Sequence, residues 1–289
     1  MNYLFHILIM IGIYSIFIQS LNIVMGYTGL VSLSQAAFYG IGAYATALLM
    51  INFNVNFFIA VLISIVITVL LSFIVSIPSL RLKGDYFILA TLGFQIIIFS
   101  LLYNWVELTR GPYGIPGIPS PQIANFTFDN PAKFLILSTI FALLVNYILY
   151  LITSIKFGLI LKSIREDEIV VSTFGKNTTR FKIISFSIGA GIAAIAGSLY
   201  ATYVTYIDPT SFTLNESILL VTILSIGGSG NIIGPIVGTL ILILLPEFLR
   251  FLEIPDSIAA NIRIMLYALV LIIILIYKPQ GIAGEYEPE

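Results

Sequence analysis

Long apolar runs separated by short polar stretches make up most of this chain. Seven of them, 3–25, 35–51, 56–77, 86–103, 133–155, 183–206 and 257–277, are long enough to cross a hydrocarbon core of about 30 Å as helices. A further run, 217–245, is too long for one straight helix and is interrupted by Gly227-Gly228-Ser229-Gly230-Asn231. That pattern predicts two shorter helices meeting at a glycine turn. The expected fold is a single all-α integral membrane domain over 1–289, with roughly eight transmembrane helices plus a broken or re-entrant helical hairpin.

Charge sets the orientation. The loop 156–182 carries Lys156, Lys162, Arg165, Lys176, Arg180 and Lys182, nearly half of the 13 basic residues, and short basic loops stay in the cytoplasm. Threading outward from it places Arg81, Lys83 and Lys278 inside and the segment 104–132 outside. The stretch between Tyr206 and Arg250, both outside, must then enter and leave on one face, as a broken hairpin does. The N-terminus carries no charge to fix its side. The first run lacks a basic leader and is too long for a signal-peptide core, so it is expected to be a retained span.

Composition agrees: 59% of the 289 residues are hydrophobic and 9% charged, where soluble domains carry about a quarter charged residues. A net charge of −1 offers no field for nucleic acid. With no cysteine and one histidine, His6, neither a disulfide nor a thiolate metal site is available, and no cofactor is expected in this chain. The outer run Gly111-Pro112-Tyr113-Gly114-Ile115-Pro116-Gly117 cannot span a membrane, because its prolines fix φ and lack donors. Tyr103 and Trp105 beside it suit an aromatic belt. The segment reads as an ordered loop with interfacial anchors, or as a contact for an external partner.

The charged loop holds Ser163-Ile164-Arg165-Glu166-Asp167-Glu168 and, further on, Gly175. Ser163 followed by Glu166 reads as a capping box, and Gly175 as the residue that ends the helix. Three acids would lie in its first turn, and Ile164, Val170, Val171 and Phe174 would share one arc with Asp167. This is either an interfacial helix covering span ends or a docking face for a protein; a helix meant only for lipid would favour basic residues.

Two polar interruptions remain. Gly26-Tyr27-Thr28-Gly29 with Ser32, Ser34 and Gln35 is either a cytoplasmic turn with Ser34 as N-cap or unwound backbone lining a pathway. Gly227, Gly228, Ser229 and Gly230 are either a tight turn or a gate hinge, and Gly230, Gly234 and Gly238 would put small residues on one helix face. Gly227–Asn231 does not continue as a phosphate loop, since no Lys-Ser/Thr follows, and Gly175-Lys176 fails because Asn177 follows the lysine and Val170 stands where the first glycine belongs. The span interiors hold almost no ionisable groups; Glu216, Glu247 and Arg263 lie near span ends or face the bundle, the last two as a structural pair. An ion-coupled carrier would need such groups inside.

Arg165-Glu166-Asp167-Glu168 with Gly175 and Arg180-Phe181-Lys182 resembles the cytoplasmic coupling loop of ABC-importer permeases, in the version found in branched-chain amino-acid permeases of the LivM type. Arg81 to Phe87 with Thr91 and Gly93, Asn104-Trp105 with Leu108-Thr109, Gly111 and Gly114, the glycine run with Gly234-Pro235, and Lys278-Pro279-Gln280-Gly281 are similar to that family too, in the same order. One departure is that Val170-Val171 stands where the general coupling motif has Glu-Ala-Ala before its glycine. The resemblance implies a permease subunit in a prokaryotic cell (inner) membrane. Its partners would be a second permease subunit, two cytoplasmic ATPase subunits that hydrolyse the ATP, and an external substrate-binding protein. Ser163, Arg165, Glu166, Asp167, Glu168 and Gly175 would couple to the ATPases. The solutes would be branched-chain or similar small hydrophobic amino acids. Urea or short amides, or a secondary carrier for small hydrophobic solutes, are the alternatives.

Overall fold

The computed structural model describes residues 2–82, 84–123, 126–250, 256–278 and 280–284. Lys83 and Pro279 lie outside the described residues, as do the side chains of Glu247 and Arg263 and with them the expected pair. The chain runs through α1 (Asn2–Leu21), which continues in a π turn (Asn22–Gly26), α2 (Gln35–Phe53), α3 (Phe57–Ser79), α4 (Asp85–Asn104) and the short α5 (Val106–Thr109). Strands β1 (Ile115–Pro116), β2 (Gln122–Ile123) and β3 (Phe126–Thr127) precede α6 (Pro131–Ser154), α7 (Lys156–Glu166), α8 (Glu168–Thr173) and α9 (Thr178–Val204). Strand β4 (Tyr206–Ile207), a 3-10 turn (Pro209–Phe212), α10 (Leu214–Gly227), α11 (Ile233–Arg250) and α12 (Asp256–Tyr277) complete it. Among the described residues 7 helical segments are long and apolar enough to cross a membrane. The fold is an all-α integral membrane protein.

Three helices form the centre. In the apolar windows of α1 and of the α9 segment 72% of residues are buried, against 28% for α3 and α4 and 22% for α6, which therefore face lipid. Small residues permit the central packing. A Cβ on Gly42 of α2 would stand 2.4 Å from the Ala194 backbone of α9, and one on Gly197 would stand 2.0 Å from the Tyr39 carbonyl. Close backbones replace the hydrophobic drive that is missing between helices in lipid.

Helix α3 shows the inside-out pattern that follows. Ser64, Thr68, Ser72 and Ser76 recur every four residues and are buried, while Leu62, Val66, Leu70 and Ile74 on the other side are exposed. The hydroxyls find partners across the interface: Ser64 with Ser198 at 3.2 Å and Ser72 with Ser187 at 3.0 Å.

The outer segment is ordered by two small ladders. Strand β1 pairs antiparallel with β4, and β2 with β3. Asn56 caps α3 at the Phe58 amide (3.0 Å) and donates to the Gln122 carbonyl (2.9 Å), tying that hairpin to the bundle. At its far end the Lys133 ammonium, 3.0 Å from Asp129, holds that carboxyl below the usual carboxylate range. Tyr103 and Trp105 stay partly exposed beside it.

The two ends of the bundle are distinct. His6 near the start of α1 meets the Tyr203 hydroxyl (2.7 Å) near the end of α9, so the N-terminus lies at the end opposite the basic loop. Charge places that end outside.

Candidate functional site

At the cytoplasmic end, α1 widens into the π turn and then stops at Gly29, which has φ +71. A helix end leaves carbonyls without partners. The Gly26 carbonyl is filled by Nη1 of Arg165, in the last turn of α7, and Nη2 of the same guanidinium donates to Ser229 Oγ at 3.2 Å. A cation at a helix C-terminus is also favoured by the dipole. Three glycines form the seat. A Cβ on Gly29 would lie 3.2 Å from Arg165 Cγ, one on Gly230 would lie 3.1 Å from Arg165 Nη1, and one on Gly26 would lie 2.1 Å from Asn22 Oδ1. Arg165 thus joins the charged loop, the end of α1 and the glycine turn.

Amides hold that arrangement from within. Asn22 Oδ1 accepts from the Gly230 amide (3.3 Å), while Asn22 Nδ2 donates to the Asn231 carbonyl (2.8 Å) and to Gln19 Oε1 (2.9 Å). Gln19 Nε2 donates to the Ile232 carbonyl and to Asn146 Oδ1, both at 2.9 Å. The sequence reading missed Gln19, Asn22 and Asn146. Their signal was there, since an amide inside an apolar run needs a partner within the bundle.

The glycine turn is closed on its other side by the residues after α12. Ile282 and Ala283 donate to the carbonyls of Ile226 (2.9 Å) and Gly227 (3.0 Å). Gly228 has φ +96, and a Cβ there would stand 2.2 Å from the Gly284 amide. Gly227, Gly234 and Gly238 bring α10 and α11 together: a Cβ on Gly234 would lie 2.3 Å from the Gly228 carbonyl, and one on Gly238 2.3 Å from that of Ile223. Gly230 does not begin this face as expected. It lies in the turn with φ +89, because the backbone there must reverse before α11 begins.

The charged loop differs from its expected form. One helix from a Ser163–Glu166 capping box to Gly175 is not what folds. The backbone breaks at Asp167, which is extended (φ −153, ψ 104) and itself caps α8, accepting from the amides of Ile169 (2.8 Å) and Val170 (3.1 Å). Ser163 lies inside α7, donating to the Leu159 carbonyl (3.0 Å), and Glu166 is its last residue. A carboxylate next to two free amides outcompetes a hydroxyl within a continuing helix. Glu168, first in α8, pairs with Lys182 (2.6 Å) and accepts from the Thr178 hydroxyl (2.9 Å). Gly175 follows α8 with φ +74.

The single apolar arc divides as well. Ile164 and Val171 turn inward and are buried, whereas Ile169, Val170 and Phe174 are exposed. A groove of about 380 Å³ lies there, lined by Ile160, Ser163, Glu166, Asp167, Val170, Val171, Phe174 and Lys176. Exposed apolar groups rimmed by charges of both signs, Glu166 and Asp167 with Lys176, suit a protein partner.

The remaining expected site residues lie deeper. Thr28 bonds back to the Val24 carbonyl. The segment 29–34 is unwound and climbs back beside α1, since Gln35 Oε1 accepts from Ser20 Oγ at 3.3 Å, roughly 9 Å along α1 from Gly26 at 1.5 Å per residue. Ser32 and Ser34 are buried and bond to each other (2.8 Å). Ser34 holds the N-cap position without a side-chain cap bond, and Ser217 Oγ accepts from the Ala36 amide (3.1 Å) instead. Among the described residues no group of three or more His, Asp or Glu side chains is placed to hold a metal.

With the charged loop, the broken hairpin and the unwound segment in place, comparison decides the family. The model of the family described as "Branched-chain amino acid transport system / permease component" matches residues 3–275. The chain belongs to that family. This permease is 30% identical to the high-affinity branched-chain amino acid transport system permease protein LivM of Escherichia coli (strain K12), over 96% of this chain and 69% of the relative. It is 27% identical to a probable LivM of Methanocaldococcus jannaschii, over 96% and 92% of the two chains. It is also 25% identical to the permease protein LivH of Escherichia coli (strain K12), again over 96% and 92%. No solved structure matches it.

Proposed function

We propose that this permease is a membrane-spanning subunit of a binding-protein-dependent ABC importer in a prokaryotic cell membrane, carrying branched-chain or similar small hydrophobic amino acids. A second permease subunit, two cytoplasmic ATPases and an external binding protein complete it, and ATP is hydrolysed on the ATPases. The observation that carries this reading is the Arg165 seat. Arg165 belongs to the same helix as Ile160, Ser163 and Glu166 of the groove, and its guanidinium bonds both the end of α1 and the glycine turn. Ile169, Val170 and Phe174 dock on an ATPase. When the ATPases close, α8 and α7 move as one piece, and Arg165 passes that movement to α1 and to the α10–α11 hairpin. The glycine turn is the gate hinge, and the ligand moves the equilibrium only by its differential affinity for the two states.

The test uses the complete transporter in proteoliposomes with its binding protein. Leucine uptake is expected to require ATP and to persist without a proton or sodium gradient. Arg165→Ala removes a charge-assisted fork of bonds, each worth about 1.5–3 kcal/mol, so uptake should fall at least about tenfold while ATP hydrolysis continues. Arg165→Lys should fail too, because an ammonium cannot reach both acceptors as a fork does. Uptake driven by an ion gradient with ATP absent would overturn the reading in favour of a carrier, and ATP-driven uptake of urea or short amides alone would move the solute class.

A further inference from the structure

From the outer end of α9 the chain turns back into the bundle before α10 begins. After β4 the turn Pro209–Phe212 carries Phe212 inward, where Gln95 Nε2, midway along α4, donates to its carbonyl at 2.8 Å. Non-helical backbone at that depth is tolerated only where it is buried in protein or lines a cavity. Asp208 holds the turn together, its carboxylate accepting from the Ser211 amide (3.0 Å) and hydroxyl (2.8 Å).

Phe212 fills a cage. Its buried ring lies 5.3 Å from that of Tyr39, 5.8 Å from Tyr44 and 6.1 Å from Tyr200. Gly40 of α2 forms the floor, since a Cβ there would stand 3.0 Å from Phe212 Cβ and Cγ and 3.4 Å from Leu102 Cδ1. A packed core alone would explain the rings. It does not explain the polar atoms: Tyr39 Oη, Tyr44 Oη and Gln95 Oε1 are buried with no hydrogen-bond partner among the described residues. All three side chains touch Phe212. Buried polar groups without partners are costly and call for an explanation. Withdrawal of Phe212 supplies one, because it leaves an aromatic seat bordered by two hydroxyls and an amide, the usual make-up of a small-molecule site.

The path of the chain ties this seat to the coupling machinery. Phe212 stands two residues before α10, and Ser229, which accepts from Arg165, stands two residues after it. The 14 residues of α10 make a rod of about 21 Å at 1.5 Å per residue. Movement of Arg165 at the cytoplasmic end of that rod therefore reaches Phe212 at the outer end.

We propose that Tyr39, Gly40, Tyr44, Gln95 and Tyr200 form a seat for a short aliphatic amino acid, and that Phe212 is its plug, withdrawn when α10 moves. This rests on the import function argued above and names where the solute enters the path. The phenyl ring stands in for a branched aliphatic side chain. Once it leaves, the tyrosine hydroxyls can donate to the solute carboxylate and the Gln95 amide oxygen can accept from its ammonium group. Urea has no side chain to fill the seat.

The test uses the complex of both permease subunits and the ATPases in lipid nanodiscs, without the binding protein so that the outer face is open. Leu102→Cys, in an otherwise cysteine-free chain, is the reporter, since Leu102 is buried beside the plug; its reaction with a small polar thiol reagent is read on this chain by mass spectrometry. A non-hydrolysable ATP analogue should speed that reaction about tenfold or more, the rise expected when a state populated below about 10% becomes the main one. In the opened state millimolar leucine should slow the reaction severalfold and urea should not. Phe212→Ala should give the fast rate without the analogue, and the arms that keep Phe212 do not depend on how that variant folds. A rate that the analogue leaves unchanged, or that stays slow in an assembled Phe212→Ala complex, overturns the plug. Leucine that leaves the opened rate unchanged, or urea that slows it equally, overturns the seat. In each case ATP-driven leucine uptake by the wild-type complex in proteoliposomes leaves the import function standing. If that complex takes up no amino acid, the import reading falls and this proposal with it.

Discussion

Asp167 illustrates how much a single side chain decides in this loop. Its carboxylate takes the first two free amides of α8 and so lets the chain turn between α7 and α8. Loss of an N-cap costs about 1 kcal/mol. Asp167→Ala should therefore loosen α8, raising amide exchange at Ile169 and Val170 about fivefold and uncoupling ATP hydrolysis from uptake. Ser163→Ala removes only a bond to its own helix at Leu159 and should be nearly silent in both measurements. Equal effects from the two variants would restore the capping box. The sequence reading took Ser163-x-x-Glu166 as the cap and placed Asp167 inside the helix. Competition between the two was settled by the helix already running from Lys156, whose start carries no local cap signal.

At the scale of elements, the hairpin of α10 and α11 depends on two different uses of glycine. Gly228 needs its positive φ and its missing side chain to let the residues after α12 pack on the turn. Gly234 needs only the space between two helices. Gly228→Val should therefore abolish uptake and speed exchange of the Ile282 and Ala283 amides, whose bonds depend on that turn. Gly234→Leu should also abolish uptake, but by separating α10 from α11, so it should lower the thermal stability of the detergent-solubilised complex. Unchanged stability in Gly234→Leu would show that the face tolerates bulk. These two glycines were legible because a broken apolar run at Gly227–Asn231 has few other readings. Gly230 was misjudged, because a four-residue spacing cannot tell a helix from the turn before it. The amide network was only half legible: an amide in an apolar run signals a partner within the bundle, but Asn22 and Asn146 are joined through Gln19, and the chain separates them widely.

Across the whole molecule, orientation and the path of the chain make one connected claim. The basic loop 156–182 lies beside Gly26, the glycine turn and the residues after α12, while His6, β4 and the start of α10 lie at the other end. Charge alone oriented the loop, and the ordered contacts carry that orientation to the uncharged N-terminus. The hairpin then descends from the outer end through α10, turns at the cytoplasmic end against Arg165, and returns through α11. Cysteine labelling tests this directly in a chain without native cysteine. Ser217 is a poor reporter, being fully buried against the Ala36 amide; Asn215, in the first turn of α10, is exposed. Single cysteines at Leu4, Asn215 and Arg250 should all react with an impermeant reagent added outside intact cells. A cysteine at the exposed Lys176 should react only after the membrane is permeabilised. If Asn215 and Arg250 label from opposite sides, α10 and α11 form one crossing, and Arg165 cannot be bonded to a turn between them. Labelling of Leu4 only from inside would instead detach α1 from the outer end, which contradicts the His6–Tyr203 contact.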